Sequence, residues 1–123
     1  MKPFKLKKKR QRYPHKITYV DGIRFHSKDE ARRYKDLIVL ERTGGIQNLI
    51  MQPRFLIQES YVYRGEKVRK AEYVADFMYN NLKGEVIVED VKSDHTAKDE
   101  LYRLKKKLML FRNMGVIFKE VIY

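Results

Sequence analysis

The chain has 123 residues, the length of one domain, and 43% of them are hydrophobic, enough to build a core. Lys and Arg total 28 against 16 Asp and Glu, a net charge of +12 that favours a polyanionic partner through phosphate neutralisation and counterion release. Cysteine is absent, which excludes a disulfide scaffold, a thiolate metal site and a cysteine nucleophile together.

The first segment, MKPFKLKKKRQR, carries seven cations and no acid, so the remainder keeps +5. Like-charge repulsion predicts a tail over residues 1–14 that is disordered when free. Lys7, Lys8, Lys9, Arg10 and Arg12 are its candidate contacts to nucleic-acid backbone; the plainer reading is a solubilising terminus. No apolar stretch follows these residues, so they do not read as a signal peptide. No apolar run approaches the roughly 20 residues needed to cross a bilayer. No basic amphipathic helix or lipidation motif suggests a membrane surface either, so no membrane partner is expected.

Residues 15–123 read as a single domain. Lys16 to Val20 and Ile23 to His26, joined by Asp21-Gly22, read as a hairpin with a type I′ turn. Ser27-Lys28-Asp29-Glu30 is a capping box that starts a helix running to about Thr43, where Gly44-Gly45 stops it. Ala31, Tyr34, Leu37 and Ile38 share one face of that helix. Three strands follow: Arg54 to Glu59, Glu72 to Tyr79 and Glu85 to Ser93. Val86, Ile87 and Val88 make the third apolar on both sides, as a covered central strand requires. A second helix over about Ala97 to Asn113 carries the stripe Leu101, Leu104, Leu108 and Phe111, with Thr96 or Asp94 as its cap. A last strand spans Val116 to Ile122. This order predicts an α/β (α+β mixed) fold, a central mixed sheet flanked by helices.

Two polar intrusions into these strands need a reason. Asp76 lies inside Tyr73 to Met78, where an unpaired charge is costly. Asp90 and Lys92 end the third strand; their two-residue spacing puts both on one face and Glu89 on the other. Asp76 and Asp90 are expected to be neighbours across the second and third strands. Two carboxylates and a lysine on one side of a sheet suit Mg²⁺ or Mn²⁺, which takes hard oxygen ligands and keeps positions for water and a phosphate oxygen. The ion activates water and offsets charge on the phosphate, and a lysine can orient the attacking water. The bland alternative for Asp90 and Lys92 is an ion pair on a sheet face. Glu89 stays open as the motif acid if the register slips by one residue.

Asp76, followed by Asp90-Val91-Lys92, resembles the signature of the PD-(D/E)XK nuclease superfamily. Glu30 matches the acid that many members carry on the first helix. The wider pattern includes Phe25-His26-Ser27, Gln52-Pro53, Thr96, Tyr102, Leu104-Lys105 and Phe118-Lys119-Glu120-Val121. It is similar to a family of small bacteriophage proteins of unknown function that looks related to Holliday-junction resolvases and transposon endonuclease subunits. One departure is Ala75, which stands where the motif has proline. The resemblance implies a restriction-endonuclease-like core and hydrolysis of a DNA phosphodiester in branched or nicked phage DNA. It implies Asp76, Asp90 and Glu30 as Mg²⁺ or Mn²⁺ ligands, and Glu30, Asp76, Asp90 and Lys92 as the catalytic set. It also implies a cytoplasmic, phage-encoded enzyme, and a homodimer where a four-way junction must be cut twice. Glu30 has a competing role as the capping-box glutamate. Lys105 is the preferred further DNA contact, against a merely solvated helix face for Lys105, Lys106 and Lys107. His95 could be a metal ligand or an acid, although a loop histidine is more often just exposed. Tyr13, Tyr19, Tyr61, Tyr63 and Tyr79 could stack on bases, although most strand tyrosines are core or pleat residues. A non-catalytic nucleic-acid-binding protein on the same fold, or a ribosome-associated basic protein, would leave the strand acids unexplained.

Overall fold

The computed structural model describes residues 17–123. The expected basic tail, with Lys7, Lys8, Lys9, Arg10 and Arg12, lies outside the described residues, as does Tyr13.

Strands β1 (Thr18–Val20) and β2 (Ile23–Phe25) pair antiparallel. Asp21 and Gly22 between them sit at φ 52° and 75°, the two positive angles a type I′ turn demands. Helix α1 (Lys28–Arg42) starts where Ser27 Oγ accepts the Glu30 N–H at 3.1 Å. It ends before Gly44, whose φ of 84° is left-handed. Its face of Ala31, Tyr34 and Leu37 is buried together with Phe25, Ile46, Phe77, Tyr79 and Ile87.

The chain then runs out and back as one long ribbon. The outward half is β3 (Gln47–Met51), β4 (Arg54–Gln58) and β5 (Tyr61–Tyr63). The return half is β6 (Glu66–Val68), β7 (Ala71–Val74) and β8 (Phe77–Asn80). β3 pairs β8, β4 pairs β7 and β5 pairs β6, all antiparallel. The sequence predicts one strand over Glu72 to Tyr79; the structure breaks it at Ala75-Asp76, opposite Gln52-Pro53. Pro53 has no N–H for a ladder and Gln52 sits at φ 52°, so pairing stops there on the outward strand. Two backbone bonds hold the joint: Gln52 N–H to Asp76 O at 2.9 Å and Ala75 N–H to Pro53 O at 3.1 Å. The second bond gives Ala75 a reason to be there, since proline would have no N–H to donate.

Strand β9 (Val86–Lys92) is central: antiparallel to β8 and parallel to β10 (Ile117–Ile122), in a mixed sheet ordered β10-β9-β8-β3. The parallel pair needs a crossover, and helix α2 (Glu100–Arg112) supplies it. Ile87, Glu89 and Val91 of β9 face α1, while Val88, Asp90 and Lys92 face α2. The chain is thus a mixed α+β protein with one helix on each side of its sheet. Among the described residues, no helix is long and apolar enough to cross a membrane.

Two features of α2 differ from expectation. A short 3₁₀ turn, Thr96–Lys98, precedes it, and Asp99 is the cap, its carboxylate accepting the Tyr102 N–H at 2.9 Å. Thr96 instead exchanges hydrogen bonds with Ser93. The apolar stripe points outward: Leu101, Leu104, Leu108 and Phe111 are 62%, 53%, 40% and 77% exposed. The buried side of α2 is Met109, flanked by partly buried Tyr102 and Leu110, against Ile57, Tyr73, Ala75 and Val88.

Candidate functional site

The break in the ribbon creates the site. Where β7 bends away from β9, the Val91 N–H loses its ladder partner, and the Asp76 carboxylate takes its place, Oδ2 accepting at 2.7 Å. The Asp76 N–H in turn faces both Glu89 O at 3.1 Å and Asp90 Oδ1 at 3.2 Å. Asp76 and Asp90 are therefore cross-strand neighbours, each spending one carboxylate oxygen on backbone. The other oxygen of Asp90, Oδ2, is buried without a hydrogen-bond partner among the described residues. A buried carboxylate oxygen left this way is costly unless a proton or a cation reaches it.

Lys92 ends β9 with its Nζ 3.9 Å from Asp90 Oδ1 and 4.5 Å from the centre of the Tyr102 ring. The Tyr102 hydroxyl donates to Glu120 at 2.5 Å, and Lys106 pairs with the same Glu120 oxygen at 3.2 Å. The lysine is thus held between a carboxylate and an aromatic face rather than swinging in solvent.

Two clefts meet at Lys92. One, of about 240 Å³, is lined by His26, Ser27, Glu30, Asp76, Val91, Lys92 and Thr96. The other, of about 300 Å³, is lined on the α2 side by Asp90, Lys92, Tyr102, Lys105 and the β7 segment Glu72 to Val74. Glu30 belongs to the helix on the opposite side of the sheet from Asp90. It joins the same site because the sheet ends there and the start of α1 overhangs that end. Its backbone N–H completes the Ser27 cap, while its side chain lines the cleft and takes its backbone hydrogen bond from His26 rather than from the N-cap residue.

The electrostatics record three acids in little space. Burial and the charge of Asp76 push the Glu30 carboxyl up to about 7, against the pull of the His26 amide and Lys92. Burial pushes Asp90 up to about 6, against Lys92 and the Asp76 amide. Asp76 is also raised by burial, against the Val91 amide and Lys92. Among the described residues, no three His, Asp or Glu side chains converge tightly enough to form a ready-made cation cage. The donor set still suits Mg²⁺ or Mn²⁺, which is commonly held by one or two carboxylates with water and phosphate oxygens completing its shell. Asp90 Oδ2, which accepts no hydrogen bond from the described residues, is the carboxylate oxygen that would be left for such an ion.

Glu89 lies on the far face and is fully engaged. Arg33 donates to both its oxygens, at 2.7 and 2.8 Å, and the Tyr79 hydroxyl donates to Oε2. It binds α1 to the sheet, while Asp90 sits with Asp76 and Lys92. Lys105 is partly buried and donates to Glu72 O at 3.3 Å, so it lines the second cleft rather than a free helix face. His95 is exposed and lines neither cleft. Tyr79 is core, Tyr19 is exposed, and Tyr61 and Tyr63 lie exposed on the outer hairpin. Sequence reasoning gave no site role to His26, Thr96, Tyr102 or Glu120. All four belong to the wider pattern of the resemblance, and His26 also immediately precedes the N-cap of a helix aimed at the site, which could have singled it out.

A search of curated proteins found no match. The family described as "Protein of unknown function (DUF1064)" matches residues 10–122, a span that takes in every element from β1 to β10 and all four of Glu30, Asp76, Asp90 and Lys92. The chain belongs to that family.

Proposed function

We propose that this protein is an Mg²⁺- or Mn²⁺-dependent DNA endonuclease of the PD-(D/E)XK kind, hydrolysing phosphodiesters of branched or nicked phage DNA in the bacterial cytoplasm. The observation that carries the reading is the pairing of Asp76 with Asp90 at the strand break, with an unpartnered Asp90 oxygen and Lys92 beside it. In this reading Asp76 and Asp90 hold the ion, and Glu30 holds it directly or through water. The bound ion would supply Lewis-acid activation of water and offset phosphate charge. Lys92, steadied by Asp90 and Tyr102, orients the nucleophile and meets developing negative charge. A net charge of +12 draws the polyanion to the acids, which alone would repel it.

The experiment is Asp90→Asn and Lys92→Ala, assayed with Mg²⁺ or Mn²⁺ on linear, nicked, flap and four-way-junction DNA. Both are expected to lose cleavage by more than about a hundredfold. Asp90→Asn is also expected to lose the rise in melting temperature that Mn²⁺ gives the parent protein, a readout independent of turnover. Wild-type rates in Asp90→Asn would end the assignment. The competing reading is a non-catalytic DNA-binding protein, favoured by the absence of a tight three-acid cage among the described residues. It predicts DNA binding by the parent protein with no cutting of any substrate and no Mn²⁺ shift.

A further inference from the structure

The outer hairpin, β5 and β6, has no part in the site, yet its construction calls for a partner. Among the described residues it is the one strand pair without a buried side chain; β1–β2 buries Phe25, β4–β7 buries Ile57 and Tyr73, and the main sheet is covered. A two-stranded ribbon exposed on both faces is marginal in water, and this one stands only because it continues β4 and β7. Its register, Tyr61 with Val68 and Tyr63 with Glu66, puts both tyrosines on one face; Val62 and Lys67 share the other. Tyr61, Val62 and Tyr63 are all exposed. Its tip is Arg64-Gly65, at φ 48° and 82°, the tight turn of a narrow ribbon. Arg64, Lys67 and Arg69 are exposed, and among the described residues none of them is in an ion pair; Lys70 pairs with Glu72 at 3.4 Å. From Glu59 to Lys70 there are four cations and two acids, a surplus of +2.

We propose that this hairpin is a duplex-DNA contact ribbon that enters the major groove and grips the flanking phosphates. The inference rests on the reading of the chain as a protein that acts on DNA. The major groove of B-form DNA admits a two-stranded ribbon. Lodged in such a groove, the ribbon would cover apolar and aromatic side chains that are otherwise exposed. Arg64 at the tip, with Lys67 and Arg69 behind it, supplies the charge complementarity. The ribbon is also connected to the right place: its base, β4–β7, ends at the joint that carries Asp76. Twelve residues separate Arg64 from Asp76, at most about 40 Å of extended chain. That is about one turn of duplex, so a ribbon in the groove and a phosphate at Asp76 can belong to the same DNA. Duplex RNA is excluded by the same geometry, because its major groove is too narrow to enter.

The test compares three proteins: the parent, Arg64→Ala/Lys67→Ala/Arg69→Ala, and a charge-matched control, Lys35→Ala/Lys83→Ala/Arg112→Ala. Binding to a 40-bp DNA duplex and to an RNA duplex of the same sequence is measured in EDTA by fluorescence anisotropy over a range of salt. The hairpin variant is expected to bind DNA at least about tenfold more weakly and to lower the slope of log K against log salt by about 2 to 3. The control should move much less, and RNA binding should fall no more than the control does. Equal losses in the two variants would reduce the hairpin to bulk charge and overturn the proposal, as would equal losses on DNA and RNA. An unchanged affinity would overturn it too. Because no cleavage is involved, a protein that binds through the hairpin but never cuts would overturn the nuclease reading alone.

Discussion

The two helices of this protein were drawn by the same rule and used by the fold in opposite ways. α1 presents Ala31, Tyr34 and Leu37 to the sheet, and all three are buried. α2 presents Leu101, Leu104, Leu108 and Phe111 to solvent and packs through Met109, Tyr102 and the stems of Lys105 and Lys106. Periodicity locates a stripe on a helix; it does not say which neighbour covers it. On α1 the stripe and the capping box agree about which way the helix faces. On α2 the half turned to the protein is built from amphipathic side chains, which bury their apolar bodies while keeping a charged or polar tip wet. Counting apolar letters overlooks such a face.

The largest effect that would break this contrast lies in the cores. Leu37→Ala and Met109→Ala, both at fully buried positions, should each lower unfolding free energy by about 2–5 kcal/mol in denaturant titrations. Phe111→Ser, on the outward stripe, should change it by no more than about 0.5 kcal/mol. A loss from Phe111→Ser comparable to that from Leu37→Ala would mean that the outward stripe is covered in solution.

Next in size is the response to pH, which joins the two sides at the site. Glu30 comes from the α1 side and Asp90 from the α2 side, and burial raises both carboxyls, to about 7 and about 6. A carboxyl that binds its proton more tightly when folded favours the folded state once protonated. That contribution is fully present below about pH 4, the unfolded range of these acids, and is lost as pH rises through 6 and 7. Without divalent ions, stability is therefore expected to fall by on the order of 2 kcal/mol per acid between pH 5 and 8. Mn²⁺ at pH 8 should restore much of it. Melting curves across that range check this, and a flat profile would remove the electrostatic cost assigned to the site. Glu30→Gln sharpens the point. It keeps the Ser27 cap, which uses only a backbone N–H of residue 30, so it should melt no lower than the parent at pH 8 while losing the metal-dependent cleavage proposed for the parent.

A smaller loss is expected at the joint of the ribbon. Ala75→Pro restores the proline that the nuclease motif carries, but it removes the donor to Pro53 O. It should cost about 1–2 kcal/mol without altering the acids themselves. An increase in stability would mean that the rigid ring compensates fully for the lost bond.

Much of the fold was legible. Asp21-Gly22 and the Ser27 N-cap each specify a backbone geometry, and the structure adopts both. Val86 to Val88 announced a strand covered on both faces. The strand Gln47–Met51 was not legible because it is an edge strand without a buried residue, so nothing in it alternates. The break at Ala75-Asp76 was hidden because Tyr73 and Phe77 continue the same period across it. Asp76 and Asp90 as neighbours followed from strand pairing alone. Glu30 was harder to resolve: helix phase turned it toward the sheet, but only the end of the sheet brings it round to the acids on the other face.

The unpartnered oxygen of Asp90 has a practical consequence for anyone who engineers this chain. A selection that rewards thermal stability without divalent ions will favour replacements at Asp90, Asp76 and Glu30, because each relieves a buried charge. Such a population would grow tougher while discarding the three acids to which the proposed chemistry is assigned. If the acids hold Mn²⁺ as proposed, selection in its presence would reverse the gradient, making the ion itself the reward for keeping them.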